Sequence, residues 1–259
     1  MKWGFVTYQW GEDWDLPTVI ANCEKAGALG VELRTGHKHG VEPSLTAPQR
    51  REVRARFANS PVAFVGPGTA ECFDHTDAAK LAAAIEAAKA FITLSHDLGG
   101  SGVKVRPNNL HPGVPREKTI EQIGKSLNVV AAFGAGYGQQ IRLEIHGKCR
   151  ELPTIKQIMD VADHPNVALC WNCNPSDVEG AGLESNFDLV KNRLGATAHV
   201  RQLDGGAYPY RDLMGLFVKA DYAGWLLLED AKKPADAVKT LSEQREIFER
   251  MVAAARANR

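Results

Sequence analysis

DAAKLAAAIEAAKAFITLSHDLGGSGVKVR, residues 77–106, sets the pattern that the rest of the chain repeats. A long run of helix formers with apolar residues at helical spacing predicts a helix over Asp77–Asp97, with Asp77 as its N-cap and Gly99-Gly100 closing it. The short apolar run Gly102–Val105 that follows predicts a strand. A helix that leads through a glycine pair into a strand is the repeating piece of a parallel α/β fold.

The same alternation continues outward in both directions until about eight strand and helix pairs fill the chain. Strands are expected at Trp3–Tyr8, Gly30–Arg34, Val62–Val65, Gly102–Val105, Gln140–His146, Val167–Trp171, Ala198–Leu203 and Gly224–Glu229. Helices are expected at Leu16–Ala26, Ala47–Phe57, Asp77–Asp97, Lys118–Phe133, Thr154–Ala162, Phe187–Lys191, Tyr210–Lys219 and Ala235–Arg256. Pro153 and Pro234 stand where helices begin, and no low-complexity linker interrupts the series. Eight uninterrupted units in 259 residues favour a closed (β/α)8 TIM barrel, one domain over residues 1–259, over a doubly wound sheet.

Composition narrows the function classes. Lys and Arg total 31 and Asp and Glu total 31, so no global field gathers nucleic acid or an anionic membrane. No segment reaches the roughly 20 apolar residues of a membrane helix, and the start MKWGFVTYQWGEDWD has acids where a signal peptide needs an apolar core. A cytoplasmic protein is therefore expected. Five cysteines, an odd number in a long chain, argue against a disulfide framework. Cys170 and Cys173 form a CxxC, but a strand sends them to opposite faces and no second pair exists.

A barrel places its chemistry where strands end, and these strands end in polar residues. IRLEIHG, residues 141–147, sets Arg142, Glu144 and His146 on one face by the two-residue period. GWLLLED, residues 224–230, is an apolar strand that stops in acid, with Trp225, Leu227 and Glu229 sharing a face. TAHVRQLDGG, residues 197–206, offers His199 and Arg201 on one face, with Gln202 and Asp204 nearer the loop. In LCWNCNPSD, residues 169–177, Asn172 and Asn174 share a face, and Ser176 or Asp177 is within reach of it. Two carboxylates facing one cavity repel unless a cation or a shared proton lies between them. An imidazole beside them suits Zn, Mn, Co or Fe better than Mg.

Taken in order, GVELRTG, GGSGVKVRP, LEIHG, LCWNCN, AHVRQLD and DYAGWLLLED resemble the xylose isomerase-like barrels, which include sugar isomerases, epimerases and an endonuclease type. The resemblance covers nearly the whole chain. It implies one divalent ion (Mn, Co, Zn or Mg) held by Glu144, Asn172, His199 and Glu229. The family's usual acid on the sixth strand is replaced here by Asn172, which lowers the expected affinity unless His146 or Asp177 substitutes. A second register of the seventh strand would bring Arg201 to the position of His199, and a protonated guanidinium cannot ligate. The register with His199 completes a sensible site.

The resemblance further implies proton transfer next to a carbonyl, with Glu144 and Glu229 exchanging protons on opposite faces of a sugar. The alternative within the same chemistry is β-elimination from a 3-keto-glycoside, with His146 or Lys104 as base or acid. A non-catalytic sugar-binding barrel with a decayed metal site is the reading outside enzymes. Glu32, Arg106, Asn174, Arg201 and Gln202 are expected to meet a small carbohydrate, and Lys104 to assist catalysis. Trp10, Trp14, Phe64, Trp171 and Tyr208 are candidates to stack on its ring, and His37, His39 and His75 are placed near the mouth. Neither nucleic acid nor membrane is expected as a partner, and assembly into a homo-oligomer is left open.

Overall fold

The computed structural model describes residues 1–206 and 208–259. Its eight strands are β1 (Lys2–Val6), β2 (Gly30–Arg34), β3 (Ala63–Cys72), β4 (Gly102–Arg106), β5 (Gln140–Glu144), β6 (Val167–Asn172), β7 (Leu194–Val200) and β8 (Trp225–Leu228). They pair in chain order, all parallel, and β8 returns to β1, so the sheet closes. The helices are α1 (Leu16–Ala26), α2 (Ala47–Ala58), α3 (Ala78–Leu98), α4 (Arg116–Ala135), α5 (Leu152–Val161), α6 (Gly182–Asp188), α7 (Tyr210–Lys219) and α8 (Ala237–Ala257). This is the (β/α)8 barrel that the alternation of the sequence predicts.

Local chemistry sets the boundaries. Asp77 caps α3 by accepting from Ala79 N at 2.8 Å and Lys80 N at 3.1 Å, and Gly99 ends it in the left-handed region with φ 83°. Asp15 opens α1 in the same way through Thr18 N at 2.9 Å. The outer faces of the strands pack on the helices through apolar side chains: Trp171 on β6 is fully buried against Phe187 of α6 and Phe217 of α7.

Three elements differ from their expected places: β3, expected at Val62–Val65, runs on to Cys72, and the sixth helix and seventh strand are displaced. The sixth helix, expected at Phe187–Lys191, lies earlier at Gly182–Asp188, because Phe187 anchors its C-terminal end and residues 191–193 form a separate tight turn. The seventh strand, expected at Ala198–Leu203, starts at Leu194 and stops at Val200. Gly195 has no side chain to show the alternation, and after Val200 the chain turns away into the loop, where Tyr210 Oη accepts from Arg201 N at 3.0 Å.

The barrel interior alternates large and small groups. A Cβ on Gly30 would overlap the Trp225 ring, one on Gly68 would come within 2.5 Å of Glu32 Oε1, and one on Gly102 within 2.9 Å of Arg142 Nη2. Glycines on one strand thus provide the volume that ring, carboxylate and guanidinium take from the next.

Candidate metal and substrate site

Register brings the strand ends together. Asn172 lies opposite His199, His199 opposite Leu227, and Glu144 opposite Cys170. Glu229 follows β8 directly, its N–H donating to Val200 O at 2.8 Å. His199 Nδ1 is then 3.1 Å from Glu229 Oε2 and 3.7 Å from Glu144 Oε1, and one ligand atom from each of the three lies within 4.8 Å of the others. Such spacing fits a single ion with bonds of roughly 2.0–2.2 Å. The His199 register of the seventh strand is the one the chain adopts, and Arg201 sits further out at the exposed rim.

The opposite edge of the imidazole faces Glu32, with Nε2 3.2 Å from Oε1. Glu32, expected to meet the substrate, is fully buried beside His199 and does not border the cavity described below. Neither nitrogen of His199 and neither oxygen of Glu32 makes a well-directed hydrogen bond among the described residues. Buried polar atoms of this kind normally find partners. A divalent ion held by His199, with a Glu32 oxygen orienting Nε2–H, would satisfy both ring nitrogens.

Lys104 also enters from below. Its ammonium donates to Glu144 Oε2 at 2.7 Å and to Thr69 O at 3.3 Å, with almost no solvent exposure on either charged partner. Burial disfavours the charge, but Glu144, Glu229 and Glu32 outweigh it and hold the lysine above its ordinary pKa. Glu144 is likewise pushed up by burial and pulled further down by Lys104 and His199, ending well below the usual carboxylate range. For His199, burial is opposed by Cys170, Glu229 and Glu32, and the ring is held well above the ordinary histidine value. A divalent cation held there would need that proton displaced, since only the neutral nitrogen ligates.

Asn172 donates from Nδ2 to Glu144 Oε1 at 2.9 Å. The amide therefore serves as a donor to a ligand, and its oxygen must turn for it to be a ligand itself. Three residues, Glu144, His199 and Glu229, fit a divalent ion and leave other positions open, as a catalytic site requires.

Above the triad is a cavity of about 490 Å³. Lys104, Arg106, Glu144, His146, Asn172, Asn174, Arg201 and Glu229 all border it, together with four residues to which the sequence assigns no role there, Tyr8, Arg34, Arg150 and Asp230. Glu229 keeps 14% of its side chain exposed, against 3% for Glu144, so it is the more reachable of the two acids. His146 lies just beyond β5; burial lowers its pKa although Glu144 raises it. A larger hollow of about 890 Å³ is a groove on the outside between α6, α7 and α8, away from the strand ends.

Other residues expected near the site lie away from the cavity. Gln202 lies outside the cavity wall, its N–H donating to Asp230 Oδ2 at 3.2 Å. Asp177 does not replace an acid on β6: it turns into its own loop, accepting from Asn174 N at 2.9 Å and Tyr208 Oη at 2.7 Å. That contact also takes Tyr208 from the set of stacking rings. Trp10 is fully buried and donates to Lys232 O, Trp14 packs on Phe5, Phe64 on Phe57, and Trp171 belongs to the outer layer. His39 binds Arg34 O and Val41 N, His37 faces Thr7, and His75 faces Cys72, so none of the three borders the cavity.

Comparison with known proteins agrees with this architecture. A structure of an L-ribulose 3-epimerase superposes with a TM-score of 0.86 over 100% of this chain and 97% of that one, at 16% identity. A 3-keto-D-glucoside 4-epimerase from E. coli gives 0.80 over 96% and 99%, at 15% identity. Among curated sequences, small ribosomal subunit protein uS14 of Synechococcus sp. (strain CC9605) is 32% identical over 93 residues, 36% of this chain and 84% of that protein. A stretch that short cannot close an eight-stranded sheet, and it defines neither fold nor site. The family model for the xylose isomerase-like TIM barrel matches residues 20–251, and the chain belongs to that family.

Proposed function

We propose that this chain catalyses proton transfer at the carbon beside a carbonyl of a sugar or sugar derivative, an epimerisation or isomerisation that depends on a divalent ion. The observation that supports it is the convergence of Glu144, His199 and Glu229 within 4.8 Å at the mouth of the barrel, under a cavity of small-molecule size. A divalent ion held by those three residues would polarise the carbonyl and acidify the adjacent C–H. The structural relatives named above are epimerases, which adds weight to this reaction class.

The residues divide the work unequally. Glu229, the more exposed acid, is the base that takes the proton from carbon, and the electron pair moves to the carbonyl oxygen to give an enediolate. Glu144 is ionised at rest, so to return a proton to the opposite face it first receives one from the ammonium of Lys104, which donates to its Oε2 at 2.7 Å; solvent then restores the Lys104 proton and takes the one held by Glu229. Asn172 and Asn174 orient hydroxyl groups.

The test is deuterium uptake from D2O at the carbon beside the carbonyl, followed by NMR over a panel of ketoses. Exchange that disappears on chelation and returns with Mn or Co is expected; no exchange with any member under metal-loaded conditions sinks the reading. β-Elimination from a 3-keto-glycoside is the second reading. It draws on His146, which borders the cavity and whose buried Nδ1 has no partner among the described residues, as an acid for a leaving group. The same NMR experiment separates them, since elimination releases an alcohol and forms a new C=C bond.

A further inference from the structure

Four arginines, Arg34, Arg106, Arg150 and Arg201, border the cavity above the triad. They come from the end of β2, the end of β4, the loop after β5 and the loop after β7, so the fold collects them from separate places. The arginines that form ion pairs, Arg50, Arg56, Arg245, Arg250 and Arg259, all lie elsewhere. Among the described residues no carboxylate comes within 4.0 Å of any of the four.

Acids do border the cavity, but each is already engaged. Glu144 is held by Lys104 and Asn172, Glu229 faces His199, and Asp230 accepts from the backbone of Gln202 and Lys232. Arg34 uses Nη1 on Gly68 O and Thr35 Oγ1, and Arg106 uses Nη2 on Ala70 O. These contacts fix the stems and leave other N–H groups free; Arg106 Nε is buried with no acceptor among the described residues. Arg150 and Arg201 are exposed, and neither side chain donates to an acceptor among the described residues. In a chain of zero net charge, guanidinium groups that line one small cavity without carboxylate partners among the described residues suit a negatively charged ligand.

We propose that the substrate carries an acidic group, a carboxylate or a phosphate ester, held by these arginines while its carbonyl end meets Glu144 and Glu229. This rests on the proton-transfer reading of the cavity and narrows it. A neutral ketose would desolvate the guanidinium groups without balancing them, and a wall of hydroxyl-binding amides would serve it better. Binding through a remote charge also holds the reacting carbon in place, which is how remote binding energy becomes rate.

Calorimetry with the full chain tests it, using a neutral ketopentose, its 5-phosphate and a 2-ketoaldonate of the same length. At least one acid is expected to bind about tenfold or more tightly than the neutral sugar, as charge-assisted contacts of this kind contribute. That preference should shrink in about 1 M salt, where screening reaches roughly 3 Å, and in the doubly substituted Arg150→Gln, Arg201→Gln protein. Both positions are exposed, so these changes leave the fold intact, and the salt series needs no variant at all. Preference for the ester assigns a sugar phosphate and preference for the aldonate assigns a sugar acid. Equal affinity for all three compounds, or a preference untouched by salt and substitution, overturns the proposal. Deuterium uptake separates it from the reaction: selective binding without exchange on any compound leaves the anion site and removes the epimerase, whereas equal exchange on neutral sugars without selectivity does the reverse.

Discussion

The two halves of the barrel interior handle buried charge in opposite ways. In the lower half the guanidinium of Arg142, fully buried, donates to Gln140 Oε1 at 3.0 Å, Ser101 Oγ at 2.6 Å and Val65 O at 3.4 Å. Its neighbours are neutral acceptors and glycines, so the charge is solvated by the protein, although burial still lowers its pKa against the pull of Glu32. In the upper half Glu32 and His199 are just as buried and lack directed partners among the described residues. Satisfied polar groups make a core unique, and unsatisfied ones cost stability that only a ligand returns. The lower half is therefore structural and the upper half is prepared for chemistry.

Substitution on each side should show that difference most strongly. Glu144→Gln and Glu229→Gln are each expected to lower turnover by about 100-fold or more, the scale of a lost general base. Glu144→Gln should also lower the melting temperature, because it strands the buried ammonium of Lys104, whereas Glu229→Gln removes an acid that Glu144 repels and costs less. Arg142→Ala should do the opposite of Glu229→Gln: about 3 kcal/mol of stability lost through the cavity and the stranded acceptors, with metal affinity little changed. Urea unfolding and metal titration of all three proteins decide this. A Glu229 variant that unfolds easily, or an Arg142 variant that stays stable, erases the proposed division.

A smaller effect sharpens the upper half alone. Asn172→Asp sets a third carboxylate beside Glu144, in place of an amide that donates to it at 2.9 Å. The metal-free protein should melt lower, and affinity for Mn should rise by roughly tenfold, about the 1.4 kcal/mol of one added charge contact. Unchanged affinity measured by titration would show that the Asn172 side chain stays with Glu144 and never reaches the ion.

How much of this is legible in the sequence depends on whether one strand or several decide a residue's place. Glu144 and Glu229 are readable because an acid that ends an apolar strand has one place to point, and His199 follows once its register is chosen. The depth of Glu32 is not readable: the two-residue period gives its face, but the stagger between strands decides whether it reaches the cavity or stops beside His199. Arg150 has no local signal, because a loop arginine that borders a cavity looks in sequence like one in water. The aromatic candidates fail for a related reason, since Trp171 is on the outward face of its strand and Tyr208 is claimed by Asp177. For the sixth helix, seven residues are too few for the periodicity to mark its start.

Asp177 gives the smallest predicted effect and a check from outside the triad. Burial raises its carboxyl to about 7, only partly opposed by the hydrogen bonds from Asn174 N and Tyr208 Oη and by Arg150 and Arg201. One oxygen accepts both of those bonds and the other, Oδ1, is buried without a partner among the described residues. The folded state thus holds this proton more tightly than the unfolded chain, whose aspartate releases it at about 3.9. With more protons on the folded side between those values, stability falls as pH rises from about 4 to about 7, and is level beyond. The cost at neutral pH is a few kcal/mol at most, since each tenfold difference in proton affinity between the two states is worth about 1.4 kcal/mol. Asp177→Asn keeps an oxygen for Asn174 N and Tyr208 while removing the charge, so its melting temperature should fall less than that of the wild type across this window and exceed it at pH values just above the window. Parallel melting curves for the two proteins would place the titration on some other group.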